Sequence, residues 1–208
     1  TLLSTVKNPG SFNHEPQPTE NPLIWQEGYL DIHHISTGHG DATFFIFPDG
    51  TTMLFDAGHM DKDHFEKKHP PMKATATIPN DSLAGYEWLA RYIHTVLPAE
   101  NSTIDYAVIS HFHSDHYGNM VPLLQQIPAK KIIDRAYPAY DFPLDMKTYL
   151  KEDQTFQGYQ NYLNESQTPV EMFQVASKTQ ISLERKPYQY PNFSIRNIKA
   201  NHFHSILN

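Results

Sequence analysis

The chain has no cysteine in its 208 residues. That excludes disulfides, thiolate metal sites and a cysteine nucleophile, and it leaves no redox mark of the compartment. Long apolar runs are also lacking: none approaches the ~18 residues that a membrane-spanning helix needs, so no membrane partner is expected. Nor is there an excess of positive charge. Lys and Arg number 16 against 23 Asp and Glu, for a formal net charge of -7. Clustered cations are what grip phosphate backbones, so stable nucleic-acid binding is not expected. A metal enzyme acting on a single phosphodiester is not excluded, because its ions neutralise the phosphate locally.

Apolar residues are plentiful, at 39% with 12% aromatic, enough for a packed core and against disorder throughout. The length suits one domain. Residues 1–24 read as a loosely held N-terminal arm, broken by Pro9, Gly10, Pro16, Pro18 and Pro22, and residues 25–208 as the folded domain. The chain opens on Thr1 rather than Met, which fits removal of an upstream segment and leans the expectation toward an exported protein.

From Tyr29 to Ser36 the residues alternate as in a strand; the turn Thr37 to Asp41 carries two glycines; Ala42 to Phe47 and Thr51 to Phe55 form a hairpin around Pro48-Asp49-Gly50. Residues 59–80 read as a long loop. A helix is predicted from a cap at Asp81 or Ser82 to about Leu97, with Tyr86, Leu89, Ile93 and Val96 on one face and Pro98 as the stop. Ile104 to Ser110 is a buried strand, Val121 to Ile127 a short helix and Lys131 to Tyr137 a strand. A helix is expected from about Leu144 to Leu163, a short helix or helix then strand over 170–186, and a last strand from Phe193 to Ala200. Grouped strands with interspersed helices indicate an α+β class with layered packing.

Thirteen histidines direct attention to where they cluster. In His111-Phe112-His113-Ser114-Asp115-His116, four potential metal ligands fall within six residues, directly after a buried strand. Imidazole and carboxylate are the usual donors for zinc and related ions. Structural zinc sites favour closed shells rich in cysteine; four donors crowded on one loop of a cysteine-free chain point instead to a catalytic site with open positions.

The pattern His-x-His-x-Asp-His resembles the signature of the metallo-β-lactamase superfamily. Leu54 to Gly58 is similar to that family's strand ending in a buried aspartate. Gly38 to Ala42, with the following apolar strand and Pro48-Asp49-Gly50, is similar to the hydrolase domain of competence-type DNA-uptake proteins and its free-standing relatives. The likeness covers roughly residues 29–137. It implies an αβ/βα sandwich with metals at one edge of the sheets. It also implies roles: His111 and His113 would hold a first ion, Asp115 and His116 a second, and Asp115 would also orient the attacking nucleophile. Asp56 would orient a ligand from the second shell, or else be a plain turn aspartate. Gly58 would allow close backbone passage. His39 and Asp41 lie on the neighbouring loop, as turn residues or with a direct part. The cofactor implied is zinc, one or two ions, with manganese or iron as alternatives. The family's later bridging aspartate and final histidine have no clear counterpart, so the second half reads as incomplete; His202 or His204 would supply a third histidine, or else belong to a tail.

The function implied is hydrolysis of a phosphodiester or ester by a metal-bound hydroxide. The alternative is a non-catalytic metal-binding or scaffold protein that retains the fold, with the Tyr-rich stretch from Tyr137 to Tyr162 as a surface or as a half-buried aromatic helix face.

Overall fold

The computed structural model describes residues 3–7, 24–200 and 203–204. Its centre is one mixed sheet of seven strands in sequence order: β1 (Leu3–Lys7), β2 (Tyr29–His34), β3 (Thr43–Ile46), β4 (Thr52–Phe55), β5 (Ile104–Val108), β6 (Ala129–Asp134) and β7 (Val170–Met172). The first four pair antiparallel, with short connections from β2 to β3 and from β3 to β4; the last four run parallel, joined by helical crossovers. All of β5 is buried, as a strand covered on both faces must be. Within the N-terminal stretch, Leu3–Lys7 adds to the edge of β2; the rest of that arm lies outside the described residues.

Side-chain alternation divides the core. Phe44, Ile46, Leu54, Ile104, Ala107, Ile109 and Ile132 face a helical layer formed by α2 (Gly85–Val96), α4 (Met120–Leu124) and α6 (Gln154–Ser166). From α2, Leu89, Ala90, Ile93 and Val96 are buried; completely burying an aliphatic side chain such as Ile93 contributes about 1.5–3 kcal/mol. On the opposite face Met53, Tyr106, Val108 and Ile133 lie under an irregular strap carrying Ile181, Leu183 and Tyr190. Among the described residues the remaining sheet is a two-stranded ladder, β8 (Lys199–Ala200) with β9 (Phe203–His204). The described fold is therefore one sheet with helices on one side and a strap on the other; the expected second αβ layer is not among the described residues. No described helix is long and apolar enough to cross a membrane.

Several local expectations are corrected. The loop over 59–80 contains α1 (Lys62–Lys68), started by the Asp61 carboxylate, which accepts from the backbone N–H of His64. The second helix begins at Gly85, later than Asp81 or Ser82, and the Glu87 carboxylate accepts from the N–H of Ala84. The stretch from Leu144 to Leu163 is two helices, α5 (Met146–Tyr149) and α6. Asp145 and Asp153 each accept a backbone N–H of the turn that follows, so each starts a helix and the second interrupts the first. Residues 170–186 give the short β7 and then the strap without a helix, and of the expected last strand only Lys199–Ala200 is extended ladder.

Candidate metal centre

The donor-bearing loop leaves the C-terminal end of β5, where parallel sheets present functional groups. After Val108 the backbone bends at Ser110 and Phe112, is extended at His113 and then enters the single turn α3 (Ser114–Tyr117). Phe112 turns inward, 4% exposed, against Tyr117, Tyr140, Phe156 and Tyr159. His111 and His113 share the outer side. Behind this aromatic box the buried Asp134 accepts from the hydroxyls of Tyr140 and Tyr159 and from the N–H groups of Ala136 and Tyr137. Burial pushes the Asp134 carboxyl up, against the pull of those four donors.

Two neighbouring loops hold the donor loop by backbone contacts. The carbonyl of Asp115 accepts from the N–H of Asp41 at 3.0 Å, and those of His116 and Ser114 from Ala57 (2.7 Å) and His59 (2.9 Å). The Asn119 amide donates to the Gly58 carbonyl at 2.6 Å. This proximity requires glycine: a Cβ on Gly40, whose φ is +90°, would lie 1.6 Å from the Asp115 carbonyl oxygen, and one on Gly58 2.0 Å from the same atom.

The side chains form a connected hydrogen-bonded set. Asp56, 1% exposed with φ of +60°, accepts from the Ser110 N–H (2.7 Å), the Ser110 hydroxyl (2.6 Å) and His116 Nδ1 (2.8 Å). Donation from Nδ1 leaves His116 Nε2 with a free lone pair. Because the Ser110 hydroxyl donates to Asp56, its oxygen is left to accept from His111 Nδ1 at 3.0 Å, which makes His111 Nε2 the acceptor nitrogen, and that atom meets His113 Nδ1 at 3.0 Å. One carboxylate thus sets two imidazole tautomers. Burial raises the Asp56 carboxyl while Ser110 and His116 pull it down. His111 is lowered to about 4, first by burial and then by His116, His113 and Arg135 nearby, so its ring is neutral at pH 7, the form a cation needs.

His111 Nε2 lies 3.0 Å from His113 Nδ1, close to the ~3.3 Å spanned by two nitrogens on one tetrahedral zinc. Asp115 Oδ2 is 3.9 Å from His116 Nε2 and 3.4 Å from His39 Nε2. His111 and His116 are adjacent, with ring centroids 4.1 Å apart. The four sequence-picked donors are brought to one rim. Among the described residues no three donors already surround a single point, so an ion would be received by rotation of these partly exposed side chains. The donor set itself, imidazole and carboxylate, suits zinc or a similar divalent ion.

Asp41 contributes backbone bonds to Asp115 and Gly58, and its carboxylate accepts from the Thr43 hydroxyl; it contacts none of the donor side chains by hydrogen bond. His202 lies outside the described residues, and for His204 only the backbone is described. Sequence reasoning missed Ser110, whose contact depends on the distant Asp56, and left His39 open between a turn residue and a direct part, because its approach to Asp115 depends on loop packing. The glycines on either side of His39 were the available signal for the second.

A family model described as the metallo-beta-lactamase superfamily matches residues 37–186, well over half of the chain and every donor named above. No curated protein matches the chain.

Proposed function

Because the chain belongs to the metallo-β-lactamase superfamily, we propose that it is a metal-dependent hydrolase with His111, His113, Asp115 and His116 as the ion-holding residues. The observation that supports this reading is the Asp56 carboxylate, which binds His116 Nδ1 directly and His111 Nδ1 through the Ser110 hydroxyl, so that both rings turn Nε2 toward the rim of the sheet, where His111 Nε2 meets His113 Nδ1. One or two zinc ions, or manganese or iron in their place, would supply Lewis acidity toward a carbonyl or phosphoryl oxygen and lower the pKa of water toward ~7.

The chain's own contribution is orientation. Asp56 and Ser110 anchor the Nδ1 side of the His116 and His111 rings, which limits their reorganisation to small rotations. Asp115 stands between His39 and His116 at the open edge, where a carboxylate can accept a hydrogen bond from an attacking water and align it. The substrate class favoured is a phosphodiester, by the likeness of Gly38 to Ala42 to DNA-uptake hydrolase domains; an ester is the runner-up. The net charge of -7 favours a small substrate over a long nucleic-acid footprint.

The test is hydrolysis of a nitrophenyl phosphodiester and a nitrophenyl ester by the full chain supplied with zinc or manganese. Turnover of one substrate, lost on chelation and reduced at least a hundredfold in His111→Ala, is the expected outcome. Equal rates for wild type and His111→Ala would overturn the assignment.

A further inference from the structure

We propose that His39 is a ligand, together with Asp115 and His116, to a second cation at this centre; the inference rests on the hydrolase reading above. Asp115 Oδ2 has imidazole nitrogens on two sides, His39 Nε2 at 3.4 Å and His116 Nε2 at 3.9 Å. Donor atoms sharing one ion with bonds of about 2.1 Å stand roughly 3–3.5 Å apart, so both separations are within a small side-chain rotation of that spacing. The His39 side chain is 48% exposed and has room to make it.

The position of His39 is built by the fold. Gly38 and Gly40 flank it with φ of +85° and +90°. Its carbonyl accepts from the Thr37 hydroxyl at 2.8 Å, which closes the turn. Gly40 lies against the Asp115 carbonyl with no room for a Cβ, and the next residue, Asp41, donates its N–H to that same oxygen. The turn is therefore fixed to the backbone of the residue whose carboxylate His39 faces. On the outer side Phe65 and His69 of the α1 region hold the ring, with centroids 5.3 and 6.4 Å away. The 3.4 Å between His39 Nε2 and Asp115 Oδ2 is longer than the about 2.7–2.9 Å of a charge-assisted hydrogen bond and leaves the two atoms at a spacing that one shared ion would accept.

The two ion positions would then divide the donors: His111 Nε2 with His113 Nδ1, and His39 Nε2 with Asp115 Oδ2 and His116 Nε2. Calorimetric titration of the full chain with zinc, and elemental analysis after removal of unbound metal, test this without reference to activity. Wild type is expected to hold two equivalents. His39→Ala and His39→Gln are expected to keep the site that His111→Ala removes and to bind the other equivalent at least tenfold more weakly. Two equivalents at unaltered affinity in both His39 variants would overturn the proposal, as would a wild type that takes up a single equivalent. Uptake of no zinc by wild type would overturn the hydrolase reading itself, which separates the two failures. Nitrogen-15 spectra of wild-type histidines give the same answer without substitution: the His39 Nε2 resonance must move to the metal-bound position with the second equivalent, and its remaining unmoved would refute the assignment.

Discussion

At the scale of single residues, the rings of the candidate centre are oriented by groups set behind them. Asp56 acts on His116 directly and on His111 through the Ser110 hydroxyl. Asp56→Ala is therefore expected to weaken zinc binding about 10–100-fold, and Ser110→Ala less, through His111 alone; a competition titration against a chromophoric chelator measures both, and equal affinity in Asp56→Ala would refute the relay. A second buried imidazole bears on stability. His33 is fully enclosed beneath α2, with Nδ1 2.9 Å from the Tyr92 hydroxyl and Nε2 without a partner. Burial holds its pKa below the ordinary value. The unfolded chain therefore binds a proton that the folded one refuses. The stability contributed is complete above the unfolded pKa of about 6.5 and is lost as pH falls from there toward the folded value. Urea denaturation between pH 7.5 and 5 should show wild type losing stability faster than His33→Leu, by at most about 1.4 kcal/mol per pH unit. Parallel slopes would remove His33 as a cause.

At the scale of elements, two features are decided by contacts a few residues long. The turn bearing His39 fits only because Gly40 has no side chain. Gly40→Ala puts a Cβ into a backbone carbonyl at a positive φ, and a loss of about 2 kcal/mol or more is expected in urea denaturation, together with weaker zinc binding because Asp115 moves. Stability within about 0.5 kcal/mol of wild type would mean that the turn detaches freely. The division between α5 and α6 rests on the Asp153 carboxylate, which accepts from Phe156 N–H at 2.8 Å. Asp153→Ala should cost about 1 kcal/mol.

At the scale of the whole molecule, the sheet is covered by different means on its two faces. One face has helices. The other has the strap, and the strap is tied near its middle: Arg185 donates to the buried Asp105 carboxylate at 2.8 Å and to Asn101, while Asp49 accepts the N–H groups of Arg185 and Lys186. The ties hold Ile181, Leu183 and Tyr190 over Tyr106 and Val108. Arg185→Ala leaves Asp105 with Lys130 and Thr52 as partners, and Arg185 is partly solvated, so the expected loss is about 2 kcal/mol, below that for a completely buried pair. Protease sensitivity within 173–198 should rise with it; an uncut strap would show that apolar packing alone retains it. Much of the architecture was legible in the residues. Apolar runs and spacing mark β2 to β6 and α2: β2 and α2 bury one face and keep the period that burial imposes, whereas β5 is buried on both faces and shows no such alternation. The candidate donors His111, His113, Asp115 and His116 stand out in the sequence for a local reason: they fall within six residues that follow one strand. What the sequence left open involved partners far apart in the chain or few in number. The strap has no period because it follows the contour of a sheet it does not join. Asp56 reaches Ser110 across 54 positions, and His39 meets Asp115 only after two glycine turns pack on one carbonyl. A run of amino acids determines which donors exist and which strand delivers them; only the folded backbone decides which of them face each other, because that distance is set by loop-on-loop contact and not by spacing along the chain.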